Sequence, residues 1–301
     1  MTTTTVLMLC LAAVSQASDE QKGSPYDLHQ KVVYVRQGEQ ELHLDAFVPK
    51  ADGKHPAVLV IHGGAWRSGN RWQLRFYADR LAKQGFACFA IDYRLAPKHK
   101  WPAQIEDCRA AVRWVRKNAA KYRVDPARIG AIGYSAGGHL ASLLATTGEA
   151  GNGEDEIDTR IQVAAAGGAP TDFRVFPDNG KWAEFLMGGD LKEVPEKFKS
   201  ASSAAFVDQN DPPLFFYNGT ADKLVPLRWT ESCFNALKDA GVRTEMYRIE
   251  GAGHLLAAVN GKALKKAFGF LKSVLMKDEQ PETSGEGKGD AAKATVKAGM
   301  E

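Results

Sequence analysis

Ser135 lies in a Gly-x-Ser-x-Gly segment that follows a short apolar run and precedes a stretch of small residues. This order predicts a strand, a sharp turn with the serine at its apex, and a helix. Gly133 and Gly137 leave room where the backbone reverses too tightly for a Cβ. In a chain with 29 glycines, the segment alone is also consistent with an ordinary glycine-rich turn. Because a serine hydroxyl is a weak nucleophile at neutral pH, the chemistry requires a base, an acid and oxyanion donors elsewhere in the chain.

His254 is the candidate base and Asp222 the candidate acid. His254 follows a strand-like segment on a glycine-containing loop, and Asp222 follows the strand-like segment before it. Ligand sites of open α/β sheets collect at the carboxyl ends of parallel strands, and the acid lies between serine and histidine in this chain order. Asp172 follows the previous strand and is the rival acid. Asp222 is favoured because it lies one strand unit before the histidine.

Backbone amides are the candidate donors to an oxyanion. One is the N–H of Ala136, directly after the candidate nucleophile. The others are those of Gly64 and Ala65, in a small-residue loop after an apolar strand. His62 is interpreted as bracing this loop. Trp66, next in the loop, either walls an acyl pocket or packs in the core.

The elements that must position these residues alternate between strand and helix. A half-buried hairpin over 31–48, with its turn at 37–40, precedes the continuous apolar run Ala57–Ile61. Repeated strand–helix units then predict an α/β fold, with a mostly parallel sheet, an antiparallel N-terminal hairpin and helices on both faces. The expected elements after the apolar run are helices at 71–84, 103–119, 136–147, 229–240 and 257–276 and strands at 86–91, 128–132, 161–166, 214–217 and 243–249.

The predicted domain organisation has one large catalytic unit. Residues 18–30 form a short lead-in, residues 31–276 the catalytic domain, and residues 277–301 a disordered tail that has almost nothing to bury. Residues 171–206 lack a clear strand pattern. They are either a small lid insertion or an ordinary helical connection.

The first 17 residues predict a secretory signal. An apolar run over 6–14 is too short to span a bilayer, and small residues at 15 and 17 suit cleavage before Ser18. No Lys or Arg precedes the run, which departs from the usual pattern. The expectation is an exported protein, periplasmic or secreted, without stable membrane insertion.

Length and composition suit one large α/β domain and give no sign of nucleic-acid binding. The chain has 301 residues, is 44% hydrophobic and carries a net charge of only +3, so no basic surface calls for nucleic acid. Without the signal, Cys88, Cys108 and Cys233 remain. An odd number gives no self-contained disulfide framework, and no cysteine–histidine cluster has metal-ligand spacing. Nothing in the sequence predicts an oligomeric state.

The order of these pieces resembles the α/β-hydrolase family, specifically esterases of the hormone-sensitive-lipase group and acetyl-xylan and feruloyl esterase-like carboxylesterases. The resemblance covers residues 31–276 and is carried by His62-Gly63-Gly64-Ala65-Trp66, Asp92-Tyr93-Arg94-Leu95-Ala96-Pro97, Gly133-Tyr134-Ser135-Ala136-Gly137-Gly138, Gly219-Thr220-Ala221-Asp222 and Gly253-His254. It implies a serine carboxylic-ester hydrolase that works through a Ser135–His254–Asp222 triad and an acyl-enzyme, without metal or organic cofactor. The implied substrate is a small-molecule or polysaccharide-linked ester with a short-chain or aromatic acyl group, including acetyl and feruloyl groups.

Two features depart from the lipase-like pattern and leave other functions open. Ala65 stands where that group usually has a third glycine, and only a short lead-in precedes the first strand. Both resemble the shorter esterases that act on acylated plant polysaccharides. An amide-type hydrolase, such as a peptidase or formamidase, would use the same residues. A non-catalytic binding protein of this fold would be expected to lack a triad member, and none is missing.

Overall fold

A single eight-stranded sheet organises the computed structural model, which describes residues 23–151, 157–175 and 181–276. The continuous apolar run forms β3, in which every residue is buried. The strands are β1 (Tyr26–Gln37), β2 (Gln40–Pro49), β3 (His55–Ile61), β4 (Ala87–Ile91), β5 (Val124–Tyr134), β6 (Val163–Gly167), β7 (Leu214–Gly219) and β8 (Thr244–Ile249).

The strand order is β1-β2-β4-β3-β5-β6-β7-β8. The β1–β2 and β2–β4 pairs are antiparallel, and all other neighbouring pairs are parallel. The predicted N-terminal hairpin on a mostly parallel sheet is therefore confirmed. Because β5 to β8 run in parallel, the loops that follow them meet at one edge of the sheet.

Helices cover both faces of the sheet, as expected from the alternation. They are α1 (Arg75–Ala82), α2 (Ala103–Lys117), α3 (Ala136–Thr146), α4 (Lys181–Met187), α5 (Pro195–Ser200), α6 (Leu227–Asp239), α7 (His254–Ala258) and α8 (Gly261–Leu275). Buried residues of α2, α3 and α6 belong to one hydrophobic core. Buried residues of α1, α7 and α8 belong to a second core on the other face.

The first strand begins earlier than expected. It starts at Tyr26 instead of Lys31, so the predicted lead-in over 18–30 is too long at its carboxyl end. The Tyr26 ring lies 5.4 Å from that of Phe47, and its hydroxyl donates a hydrogen bond to Asp79 at 2.7 Å. Both partners of Tyr26 are distant in sequence. Their contacts accompany a β1–β2 pairing that begins at Tyr26, before the segment predicted as a strand from residue 31.

The last predicted helix is two helices. The segment expected to be helical from about residue 257 divides into α7, which begins at His254, and α8, which begins at Gly261. The Oδ1 atom of Asn260 accepts a hydrogen bond from the N–H of Ala263 at 2.9 Å. An asparagine in this position caps a new helix and so separates it from the preceding one.

The described part of residues 171–206 contains four short helical pieces separated by turns. A 3₁₀ turn (Phe173–Val175), α4, α5 and a second 3₁₀ turn (Ser203–Ala205) follow one another. Phe173, Leu186 and Phe198 are buried in the core shared with α2 and α3. The lid interpretation of this segment stays a prediction.

Other expectations concern the termini and the cysteines. The predicted signal over 1–17 and the predicted tail over 277–301 lie outside the described residues. Within 23–151, 157–175 and 181–276, no helix has both the length and the apolar character needed to cross a bilayer.

Cys88, Cys108 and Cys233 are buried free thiols. Burial was expected for Cys88 and Cys108, which were placed in apolar segments.

Candidate active site

Ser135 occupies the turn between β5 and α3. Its backbone has φ 57° and ψ −121°, a conformation that residues with a Cβ rarely adopt. The Ser135 N–H donates to the carbonyl of Gly167 at 2.8 Å, which fixes the turn against the next strand. A Cβ at Gly137 would lie 1.9 Å from the carbonyl oxygen of Ile61, and one at Gly133 would lie 2.2 Å from that of Gly137. The strand–turn–helix context predicted for the serine is therefore present, and both glycines are required by close backbone approach.

Asp222 and His254 are in direct contact. Asp222 Oδ2 lies 2.6 Å from His254 Nδ1, and Asp222 Oδ1 accepts hydrogen bonds from the N–H groups of Leu224 and Val225, each at 2.9 Å. The carboxylate side chain is 0% exposed and the imidazole 9% exposed. Three hydrogen bonds thus fix the carboxylate, which orients the imidazole and leaves its Nε2 atom to exchange protons.

Contacts with residues adjacent to Ser135 bring His254 to the same edge of the sheet. The hydroxyl of Tyr134 donates to the carbonyl of His254 at 2.6 Å, and the two rings lie 5.0 Å apart. A Cβ at Gly168 would lie 3.2 Å from His254 Cε1, while neighbouring Gly167 bonds to Ser135. In the part of the chain that is described, no hydrogen bond joins the Ser135 hydroxyl to the imidazole. Such catalytic hydrogen bonds are often long in a free enzyme and shorten when substrate binds.

The rival acid Asp172 forms an ion pair with Arg174. Its two carboxylate oxygens accept from Arg174 Nε and Nη2, each at 2.8 Å, and Oδ1 also accepts from the Arg174 N–H at 3.1 Å. This is a local turn closed by an ion pair. The structure therefore brings Asp222, and not Asp172, to the histidine.

The loop after β3 presents the other amides predicted as oxyanion donors. Gly64 has φ 103° and Ala65 has φ 53°. The carbonyl of Gly64 accepts from the N–H of Ser68 at 3.0 Å, and a Cβ at Gly64 would lie 2.0 Å from the Ser68 carbonyl oxygen. Within the described ranges, the N–H groups of Gly64, Ala65 and Ala136 donate to no acceptor. Three amides on the two loops are thus available to a negatively charged oxygen.

The first glycine of this loop lies against the nucleophile turn. A Cβ at Gly63 would lie 2.9 Å from the Tyr134 carbonyl oxygen and 3.4 Å from the Ser135 Cβ. The absence of a side chain at this position lets the loop lie directly beside the candidate nucleophile.

His62 holds the loop from beneath, in agreement with its interpretation as a brace. Its Nδ1 lies 2.7 Å from the Gly63 carbonyl oxygen, and its ring stacks on Tyr93 at 4.1 Å. The Tyr93 hydroxyl donates to the His62 carbonyl at 3.1 Å. Burial lowers the pKa of His62 to about 4, so the ring is neutral at pH 7 and donates from Nδ1 to the carbonyl.

Trp66 packs in the core, which was the alternative to a role in the acyl pocket. Its side chain is 2% exposed, and its indole Nε1 donates to His139 Nδ1 at 3.1 Å. The second ring nitrogen of His139 donates to the Ala201 carbonyl at 2.6 Å. The interaction connects the loop after β3, the helix after Ser135 and the segment 171–206.

Sequence reasoning missed the tyrosines that position His254. The Tyr77 hydroxyl donates to the Ala258 carbonyl at 2.6 Å and lies 3.0 Å from the Tyr217 hydroxyl. Together with Tyr134, it bonds to backbone carbonyls at both ends of α7. Tyrosines in apolar segments indicate only burial, so the sequence carried no signal for this role.

A cavity of about 540 Å³ lies away from these residues, between α2, α3 and the segment 171–206. Its lining includes Trp101, Arg109, Thr147 and Phe206. None of the predicted catalytic or oxyanion residues lines it. The candidate active site at the sheet edge is therefore separate from this cavity.

Comparison with known proteins gives consistent similarities. The BD-FAE family model matches residues 44–237, which is more than half of the chain. Esterase LipC of Mycobacterium tuberculosis is 33% identical over 220 residues, which are 68% of this chain and 54% of LipC. The chain spans about half the length of the curated relatives that it matches.

Solved structures of esterases share the fold. A truncated carbohydrate esterase from gut microbiota superposes with a TM-score of 0.76 at 28% identity, over 85% of this chain and 99% of that one. An acetyl ester-xyloside bifunctional hydrolase from Caldicellulosiruptor lactoaceticus superposes with a TM-score of 0.69 at 25% identity, over 78% of this chain and 88% of that one. The α/β-hydrolase resemblance and fold expected from the sequence are confirmed, and the relatives are esterases, the predicted enzyme class.

Proposed function

Because the chain belongs to the BD-FAE family and has the α/β-hydrolase fold, we propose that it hydrolyses carboxylic esters with Ser135 as the nucleophile. The observation that carries this proposal is the 2.6 Å contact between Asp222 and His254 at the sheet edge where the Ser135 turn also lies. A buried carboxylate on the imidazole of a loop beside a strained serine turn is the arrangement that serine hydrolysis requires.

The proposed reaction begins with proton transfer from the Ser135 hydroxyl to His254 Nε2. The serine oxygen attacks the ester carbonyl, and the carbonyl oxygen becomes negatively charged. The N–H groups of Ala136, Gly64 and Ala65 stabilise this charge, and the loss of one such donor typically lowers the rate roughly 100- to 1000-fold. Asp222 stabilises the imidazolium while it exists.

His254 then protonates the leaving alcohol, which departs and leaves an acyl group on Ser135. A water molecule gives a proton to the same imidazole and attacks the acyl carbonyl. The carboxylic acid leaves, and the proton returns to the serine. Every proton and bond in this cycle is accounted for by the three side chains, the ester and one water.

The similarities support a proposal for the substrate class. One structural neighbour is a carbohydrate esterase and another an acetyl ester-xyloside hydrolase. We propose that this chain acts on short-chain or aromatic esters, including acetyl or feruloyl groups linked to polysaccharide.

The test is an ester panel with wild type and Ser135→Ala. Acetyl, butyryl and octanoyl p-nitrophenyl esters, a feruloyl ester and acetylated xylan are compared with an acetyl anilide as the amide control. The expected result is turnover of the esters, little turnover of the anilide, and loss of turnover in Ser135→Ala with an unchanged melting temperature. Undiminished ester turnover by Ser135→Ala would remove the proposed nucleophile, and preference for the anilide would make the enzyme an amide-type hydrolase.

A further inference from the structure

Four large apolar side chains are exposed in the two loops that carry Asp222 and His254. Leu255 is 71% exposed, Leu256 68%, Val259 58% and Leu224 67%. Leu255, Leu256 and Val259 lie on the outer side of α7 and its end, while Ala257 points inward and is fully buried. We call these four residues the leucine face. Scattered exposed leucines are ordinary, but a cluster around one site marks an interaction surface.

A positively charged groove begins two residues after the leucine face. Its volume is about 260 Å³, and Gly261, the first residue of α8, lies on its wall. We call this groove the basic groove. Its apolar lining residues are Leu264 and Phe268, and the others are Arg80, Lys83, Gln84, Gly261 and Lys265. Lys83 is paired with Asp79 at 2.9 Å. Arg80 and Lys265 have no carboxylate within ion-pair distance in the described ranges.

The protein holds the leucine face and the basic groove in a fixed relation. The Tyr77 hydroxyl of α1 donates to the Ala258 carbonyl of α7 at 2.6 Å, and Arg80 lies about one turn further along α1. Asn260 caps α8 directly after Val259. The basic groove and the leucine face other than Leu224 therefore lie on three helices, α1, α7 and α8, that are bonded or joined to one another.

The charge around this surface is predominantly positive. Lys262 and Lys266, both exposed, lie over the Tyr247 ring at 5.8 and 5.4 Å. Of the two neighbouring carboxylates, Asp79 pairs with Lys83, while Glu250 accepts a hydrogen bond from the neutral Thr220 hydroxyl at 3.3 Å and keeps its charge. The lysines and Arg80 outnumber these two carboxylates. A partner that satisfies the whole surface must be both apolar and negatively charged.

We propose that the leucine face and the basic groove bind the surface of an anionic lipid bilayer. The leucines enter the boundary between headgroups and acyl chains, while Arg80 and Lys265 contact lipid phosphates. This proposal goes beyond ester hydrolysis, because binding requires no turnover. It directs the Asp222–His254 pair toward the lipid.

Two other occupants fit the surface less well. A symmetric contact between two copies pairs a patch with itself and would bring the cations of one basic groove close to those of the other. A neutral polysaccharide offers neither an apolar layer nor negative charge. The anionic bilayer matches both halves of the surface.

The test is flotation of the full chain with vesicles at low salt. Vesicles of phosphatidylglycerol and phosphatidylcholine are compared with vesicles of phosphatidylcholine alone, using wild type, Leu255→Ser/Leu256→Ser and Arg80→Glu/Lys265→Glu. The expected result is binding to the anionic vesicles, a partition coefficient at least about tenfold lower for each double variant, and weakened binding at high salt.

Matched controls come from the opposite face of the sheet. Phe206→Ser removes another exposed apolar side chain, and Lys117→Glu reverses the charge of an exposed lysine at the end of α2. Both should bind as wild type does, and so should Ser135→Ala, which separates lipid binding from the proposed hydrolysis. All variants are compared at matched melting temperatures.

Three results would overturn the proposal. Absence of wild-type binding to anionic vesicles, or equal binding to phosphatidylcholine alone, would exclude an anionic surface. Equal losses in the control variants would exclude this face. A wild-type dimer in sedimentation equilibrium that dissociates in Leu255→Ser/Leu256→Ser would assign the leucine face to a second copy.

Discussion

Trp66 and His139 are joined by a buried hydrogen bond, with indole Nε1 3.1 Å from imidazole Nδ1. The bond connects the loop that carries the candidate oxyanion donors to the helix that starts beside the candidate nucleophile. Because the same imidazole donates to the Ala201 carbonyl at 2.6 Å, it must be neutral with its proton on Nε2. Burial supplies that condition by lowering the pKa of His139 to about 4.

Replacing these two residues should show non-additive losses of stability. His139→Leu removes the acceptor for Trp66 and the donor for Ala201, and Trp66→Phe removes the indole donor. We expect each single variant to lower the free energy of unfolding, and the double variant to lose less than the sum by about 1 kcal/mol. Urea unfolding of the four proteins measures this coupling. Additive losses would mean that the hydrogen bond contributes nothing of its own.

The stability of the protein should fall as the pH is lowered below 7. Burial depresses the pKa values of His62 and His139 to about 4 in the folded chain, whereas an unfolded histidine titrates near 6.5. The unfolded chain therefore binds more protons between these values, and the stability present above pH 6.5 is lost as the pH falls toward 4. We expect a free energy of unfolding on the order of 3 kcal/mol lower at pH 5 than at pH 7.

Urea unfolding at pH 5, 6 and 7 measures this loss, and His139→Leu provides the control. Without one of the two buried imidazoles, the variant should lose less stability over the same range. An identical pH dependence in wild type and variant would contradict the assignment of proton uptake to His139.

The two candidate acids should differ sharply in their effect on ester hydrolysis. Asp222→Asn keeps the shape of the side chain but removes the charge next to His254 Nδ1, and we expect kcat/KM to fall by about 10³- to 10⁴-fold. Asp172→Asn breaks only the local pair with Arg174 and should change kcat/KM less than tenfold. Steady-state kinetics on p-nitrophenyl acetate compares them. A larger loss in Asp172→Asn would exchange the two assignments.

Gly64→Ala should damage both turnover and folding. Its φ of 103° disfavours any Cβ, and the new atom would lie 2.0 Å from the Ser68 carbonyl oxygen, which must move and displace the amides beside Ser135. We expect kcat to fall at least about 100-fold, as when an oxyanion donor is lost. Gly38→Ala is the matched control, because its φ is also positive but nothing lies within 4 Å of the added Cβ. It should lower the melting temperature slightly and leave kcat unchanged.

The sequence predicted most accurately what local chemistry determines. The glycines around Ser135 predicted a tight strand–turn–helix, and the apolar run predicted a buried strand. The structure has the tight turn at Ser135 and the fully buried strand β3. The Asp222–His254 contact was predictable because parallel strands bring their carboxyl ends to one edge. The glycine and apolar-run signals lie within a few residues of the feature that they specify, whereas the Asp222–His254 contact follows from the parallel topology.

What escaped prediction depends on partners distant in sequence. Trp66 packs in the core against His139, 73 positions away, whose Nδ1 accepts a hydrogen bond from the indole N–H. The early start of β1 depends on Tyr26 meeting Phe47 and Asp79. The division of the last helix is the exception, because its signal is local: the Asn260 side chain accepts from the N–H of Ala263. A pattern of apolar spacing contains no information about such pairs.

Ser135 has a positive φ, which a residue with a Cβ disfavours, yet the proposed reaction requires its hydroxyl at this position. Glycine would occupy φ 57° with less strain, so the most heat-resistant version of this turn carries no hydroxyl. Directed evolution for thermal tolerance alone would thus be drawn toward an inert protein. Libraries built on this scaffold need a screen for turnover in every round, or position 135 must be held constant.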